Sequence, residues 1–183
     1  MSKTLKKIWN IVTWLLVALV VLMAVLLVGV RLIGFRAFTI LSGSMEPSYH
    51  VGSLVYVKPV EDLHSLQSGD VITYTIDENT VVTHRVLEVI PDEDEPEIVR
   101  FRTKGDANDA EDGSLAYGPN VIGKVVFSIP LLGYVANYIQ NPPGTYIAIA
   151  GGAVLLLLVF LPDLFGSEDK KKGRSQGDAD PEL

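Results

Sequence analysis

Three features of this 183-residue chain could do chemistry: Ser44 in "SGSMEP", His84 in "VVTHRVLEV", and the carboxylates of "TKGDANDAEDG", Thr103 to Gly113. A serine beside Gly43, with Pro47 fixing a turn three residues on, sits where backbone can approach a substrate closely. A histidine can take and return a proton near neutral pH, and a carboxylate on its second ring nitrogen fixes its tautomer. Together the three supply a nucleophile, a base and an acid that orients the base, which is what acyl transfer by a serine needs. Each also has an ordinary structural reading. Ser-Gly-Ser is common turn composition, and Ser42 can bond its own backbone. His84 on a period-2 strand shares a face with Val82 and Val86, as a core histidine would. The acids Asp106, Asp109, Glu111 and Asp112 lack the spacing of a helix–loop–helix calcium site, so no metal is expected.

The elements that must position these residues are short runs rich in Val, Ile, Thr, Tyr and Phe. "RAFTIL", "SLVYVK", "DVITYTI", "TVVTHRVLEVI", "EIVRFRTK" and "GKVVFSI" read as six strands. Turn signals at Gly52, Gly69 and Asn79 and the acidic loop Pro91 to Glu97 separate them; that loop reads as a solvated hairpin tip. With no strong helical period between them, the fold class is mainly β, a small sheet or partly open barrel.

The sheet lies between two apolar segments. Ile8 to Val30 carries no charge over 23 residues, more than enough at ~1.5 Å per residue to cross a ~30 Å hydrocarbon core. It is too long for the ~7 to 15-residue core of a cleavable signal peptide, so an uncleaved anchor is expected. A second run, Thr145 to Pro162, is expected to span as well, with "PLLGYVANYIQNPPG" at the membrane interface before it. Lys3, Lys6 and Lys7 precede the first segment, and Lys170, Lys171, Lys172 and Arg174 follow the second, which places both ends in the cytoplasm and the middle outside it. The expected organisation is a cytoplasmic head 1–7, a span 8–33, an extracytoplasmic β domain 34–144, a span 145–162 and a disordered cytoplasmic tail 163–183. Residues 34–144 hold 16 Asp and Glu against 7 Lys and Arg, a net charge of −9, which argues against nucleic acid as a partner. The chain has no cysteine, which excludes disulfides and thiolate metal sites.

In this order, "SGSMEP", "HRVLEV" and "TKGDANDAEDG" resemble type I signal peptidases, over about Phe38 to Tyr134. The resemblance is to the subfamily with histidine as base, found in the endoplasmic reticulum, in archaea and in minor enzymes of some spore-forming bacteria. General bacterial enzymes of the family carry a lysine where this chain has His84. It implies Ser44 as nucleophile, His84 as general base and Asp112 as the third member. Asp106 matches the acid of the family's Gly-Asp pair and is implied as a further catalytic residue, which leaves open whether Asp112 or Asp106 orients His84; Ala107 stands where the family usually has Asn. Ser42 matches the position whose hydroxyl, with the Ser44 N–H, forms the oxyanion hole.

The implied activity is a membrane-bound serine endopeptidase that cuts signal peptides from secretory preproteins after a small-x-small motif, in the cell membrane or the endoplasmic reticulum membrane, with membrane lipid as its other partner. It implies no cofactor and identifies no accessory subunits. We expect the substrate to add as a strand to a sheet edge, with Phe38, Ile40 and Val55 near Ser44 as candidates for shallow pockets. The alternatives are a lysine-base peptidase of the same fold, with Lys104 as base, and a non-catalytic membrane-tethered β domain.

Overall fold

The runs of β-branched and aromatic residues form one antiparallel sheet. The computed structural model describes residues 3–92, 95 and 98–172, so much of the acidic loop and the end of the tail lie outside the described residues. The six expected strands are β1 (Arg36–Thr39), β2 (Leu54–Lys58), β3 (Val71–Thr75), β4 (Val81–Pro91), β5 (Val99–Lys104) and β7 (Val121–Ile129). A seventh, β6 (Ala116–Tyr117), is only two residues long and joins the far edge through β5. The order β1-β2-β7-β3-β4-β5-β6 leaves β1 and β6 as edges, so the sheet is open and does not close into a barrel.

Residue alternation decides what faces the core. On β5, Val99, Phe101 and Thr103 are buried while Arg100 and Arg102 point away. β2 differs: Leu54 to Val57 are all buried, so both of its faces are covered. One apolar cluster gathers Leu66, Ile72, Tyr74, Val86, Val99, Phe101 and Ala116. A second, made of Ile40, Met45, Val55, Val57, Val71 and Val125, lies under the segment that carries Ser44.

A helix, α2 (Leu132–Gln140), packs on β1 and the turn before β2, burying Leu132, Gly133 and Ala136 and leaving Tyr134, Val135 and Tyr138 exposed. The close approach runs through glycine. The Gly133 amide donates to the Gly52 carbonyl at 2.9 Å. A Cβ on Gly133 would lie 2.7 Å from that oxygen, 2.8 Å from the Ser53 carbonyl and 2.6 Å from the Thr39 methyl. Gly133→Ala should gain up to ~1 kcal/mol of helix propensity and lose ~1–3 kcal/mol to overpacking against backbone that cannot step aside. We expect the loss to win, seen as a lower melting temperature of the full chain in detergent.

The apolar segments are helical. α1 (Lys3–Leu27) gives way to a 3₁₀ turn, Gly29–Ile33, closed by Gly34 at φ 86°. Among the described residues Thr4–Leu27 is long and apolar enough to cross a membrane, and Leu132–Gln140 with Gly144–Val159 passes the same test only as a broken pair. α3 (Gly144–Lys172) continues past Pro162, where the sequence reading ends the span and starts a disordered tail. A proline removes one helical hydrogen bond and can bend a helix without stopping it.

Candidate active site

Ser44 occupies a one-turn 3₁₀ segment, Gly43–Met45, between β1 and β2. The turn is pinned from below by the Met45 side chain, 1% exposed in the second apolar cluster. From above it is held through its carbonyl, since the Ala107 amide donates to the Ser44 oxygen at 2.9 Å. Gly105 makes this approach feasible: a Cβ there would stand 2.6 Å from the same oxygen. The "GDAN" loop therefore grips the serine turn through its backbone and not through the Ser44 hydroxyl.

His84 lies on β4, on the face it shares with Val82 and Val86, opposite Ile72 of β3. Its Nε2 is 3.2 Å from Ser44 Oγ and its Nδ1 is 2.6 Å from Asp112 Oδ2. A carboxylate only accepts, so Nδ1 carries the ring proton and Nε2 is left to accept from the Ser44 hydroxyl. Ser42 Oγ, 3.2 Å from Ser44 Oγ, then donates to the serine oxygen. The His84 and Asp112 side chains are 12% and 18% exposed, a shielded setting in which such contacts count for more than in water. Asp112 is fixed by its own amide, which donates to the Thr103 carbonyl at 2.9 Å, and by the Thr103 and Tyr74 hydroxyls.

The two carboxylates that the resemblance brings to this site have different partners. Asp112 reaches His84. Asp106 forms a two-pronged ion pair with Arg85, Nε to Oδ1 at 2.8 Å and Nη2 to Oδ2 at 2.6 Å. Arg85 also donates to the Gly69 carbonyl and reaches Ser48 Oγ, tying β4, the "GDAN" loop and the residues after Ser44 together. The Arg85 guanidinium, with help from Ser48, holds the Asp106 carboxyl below its usual range against the opposing effect of burial. Because its folded pKa lies below the unfolded one, Asp106 adds stability that is complete above the ordinary carboxylate range and fades as pH falls through the folded value. Asp106→Asn should therefore lower the melting temperature at pH 7, by roughly 1 kcal/mol of stability. Melting curves recorded at falling pH should bring variant and wild type together in the acid range.

Lys104, the alternative base, donates its Nζ to the Asp109 carbonyl. The described residues hold no group of three or more His, Cys, Asp or Glu arranged for a metal ion.

A cleft of about 480 Å³ opens beside Ser44, lined by Phe38, Ile40, Met45, Val82, Asn79 and Asn108 among others. Phe38 and Ile40 lie where the sequence expects them. Val55 does not: it is 0% exposed within the second cluster, because β2 is covered on both faces and its residues have no cleft side. Sequence reasoning missed Arg85, Tyr74 and Thr103. A threonine at a core-facing position of β5, between the buried Phe101 and the acid loop, is the signal that could have found the last.

The family model described as "Signal peptidase, peptidase S26" matches residues 11–96, a stretch that includes Ser44 and His84 and ends before Asp106 and Asp112. Signal peptidase I W of Bacillus subtilis is 46% identical over 83 residues, 45% of this chain and 42% of that protein, so the chain spans under half of that relative's length. The signal peptidase complex catalytic subunit SEC11 of Fusarium vanettenii is 32% identical over 130 residues, 67% of this chain and 73% of its own. SEC11C of Rattus norvegicus, named as a catalytic subunit of the same kind of complex, is 29% identical over 128 residues, 64% of this chain and 65% of its own. With a third of the aligned residues identical along most of a SEC11 protein, and the matched stretch of the family model carrying both the serine turn and the histidine strand, this chain belongs to the signal peptidase family, peptidase S26.

Proposed function

We propose that the chain is a membrane-bound serine endopeptidase that removes signal peptides from secretory preproteins, cutting after a small-x-small motif. The observation that carries this reading is the unbroken line of contacts from Ser44 Oγ through His84 to Asp112 Oδ2. Ser44 attacks the scissile carbonyl while His84 Nε2 takes its proton, and Asp112 stabilises the imidazolium that results. The Ser44 N–H and the Ser42 hydroxyl receive the developing oxyanion; each such donor is worth ~3 kcal/mol of barrier. His84 returns the proton to the leaving amine, and water then hydrolyses the acyl-enzyme through the same base. Asp106 acts through Arg85 as a positioning residue.

The cleft suits an extended substrate. Its walls come from β1, whose strand pairing is with β2 alone, and from Val81 to His84 of β4, which pair with β3, while β5 pairing begins only at Arg85. Both walls thus offer unpaired strand edges among the described residues, and a cleavage segment laid between them would add as a strand. Phe38 and Ile40 would limit the pockets for alternate side chains. The charge pattern supports residues 34–144 outside the cytoplasm, spans at 8–33 and 145–162, and a cytoplasmic tail 163–183, in the cell membrane or the endoplasmic reticulum membrane. Enzyme and substrate held in one bilayer meet at a raised effective concentration. A non-catalytic tethered domain has no need of a serine within 3.2 Å of an acid-backed imidazole.

The test is cleavage of a panel of preproteins by the purified full chain in detergent, with the products sequenced. We expect one cut, after the small-x-small motif, lost when the residue just before the cut is enlarged to leucine. Cuts scattered elsewhere, or none in any preprotein, would refute the reading.

A further inference from the structure

Asp112 Oδ2 is a crowded atom. Besides His84 Nδ1 at 2.6 Å, it lies 2.6 Å from Thr103 Oγ1 and 3.2 Å from the Tyr74 hydroxyl, and those two hydroxyls are 3.1 Å from each other. Thr103 is 1% exposed and Tyr74 is 4% exposed. Strand register explains the convergence. Tyr74 on β3 stands opposite Val82, and Thr103 on β5 stands opposite Val86, so the two flank His84 diagonally on one face of the sheet. Their other neighbours on that face are apolar: Ile72, Val86 and Phe101.

We infer that Tyr74 and Thr103 are positioning residues, a buried pair of hydroxyls that selects which carboxylate oxygen of Asp112 faces His84 and sets how strongly that oxygen holds the imidazole proton. The inference rests on the proposed peptidase reading.

Donor bookkeeping supports it. The Thr103 proton goes to the carboxylate, the closer acceptor, so the Tyr74 proton is shared between Thr103 Oγ1 and Asp112 Oδ2. Burial, together with the Asp112 charge, pushes the Tyr74 hydroxyl up to about 12, so it stays a donor across the working pH range. Each donated proton withdraws charge from the oxygen that faces His84. That oxygen then pulls less strongly on the Nδ1 proton, which stays on the ring while Nε2 takes and returns the serine proton. The other ionisable groups near the ring are Arg85, beside it on β4, and Asp106, whose charge is paired with Arg85.

Removing one hydroxyl leaves Asp112 with more unshared charge and less constraint. The first effect stabilises imidazolium and moves the His84 titration upward; the second slows proton transfer. In the full chain in detergent we therefore expect Thr103→Val and Tyr74→Phe each to lower kcat roughly tenfold with KM unchanged. The acid limb of the kcat profile should move to higher pH in both variants. Thr103→Ser, which keeps the hydroxyl, should restore rate and limb.

The same shift should be visible without turnover, as an upward move in the NMR titration of the His84 ring among the chain's three histidines. An unmoved His84 titration and acid limb, with only the melting temperature reduced, would overturn the inference. So would Thr103→Val and Thr103→Ser variants that behave alike. A wild-type chain that cuts no preprotein would overturn the peptidase reading, whereas an active wild type with an unmoved titration in the variants overturns this inference alone.

Discussion

Ser44→Ala is expected to lower preprotein cleavage by ~10⁴-fold or more while leaving the fold intact. The serine hydroxyl is only half-buried and contacts two side chains, Ser42 and His84, so its loss opens no core cavity. The turn keeps its other anchors, Met45 below and the Ala107 amide above. The melting temperature should therefore stay within a degree or two while single-turnover rates collapse. His84→Ala should fall about as far, and the double variant hardly further, because in the proposed mechanism Ser44 and His84 act as one unit. Initial rates on one preprotein across the three variants read this directly. Losses that multiply in the double variant would mean that Ser44 and His84 contribute separately, and substantial residual activity in Ser44→Ala would remove the serine mechanism altogether.

The second large effect comes from a residue with no side chain. Gly105→Ala would bring a Cβ to 2.6 Å from the Ser44 carbonyl oxygen and 2.8 Å from the Asn108 amide nitrogen. Asn108 can rotate away. The carbonyl cannot, since it belongs to the backbone of the serine turn and accepts from the Ala107 amide. Relief must come from moving the turn against the loop by several tenths of an ångström, and the hydroxyl moves with it. Displacements approaching 1 Å cost ~10²-fold in positioned reactions, so kcat should fall by about that factor. Stability should fall by ~1–3 kcal/mol, as for other overpacked sites. Measured well below the variant's melting temperature, the kcat loss should persist with KM little changed. Activity within twofold of wild type would show that the loop does not press on the serine turn.

Much of this architecture is legible in the sequence itself, for identifiable reasons. Strands β1 to β5 and β7 announce themselves through β-branched runs between glycine and acidic turns, because burial of one sheet face imposes that pattern. β6 does not, since two residues, Ala116 and Tyr117, are too few to carry a period. Ser44 and His84 could be picked out because candidates for a nucleophile and a base are recognised by residue type. The partner of His84 could not be read from residue type alone. Asp106 and Asp112 are both acids in one short loop, and only the path of that loop turns one toward Arg85 and the other toward the imidazole. Val55 illustrates the opposite limit: an apolar residue near Ser44 in sequence looks like a pocket wall until its strand proves to be covered on both sides. Thr103 and Tyr74 read as ordinary strand residues, and their hydroxyls gain a task only from the register of three neighbouring strands.

The hold on the serine turn has a practical side. Ala107 grips Ser44 through its amide, while its own side chain is exposed. Any residue except proline supplies the same amide, so the departure from the family's usual asparagine costs the turn nothing at this contact. Position 107 is therefore a place for a reporter. A cysteine there would be the only thiol in the chain, and a fluorophore attached to it would face solvent one backbone hydrogen bond from Ser44. Arrival of a substrate could then be timed apart from its cleavage.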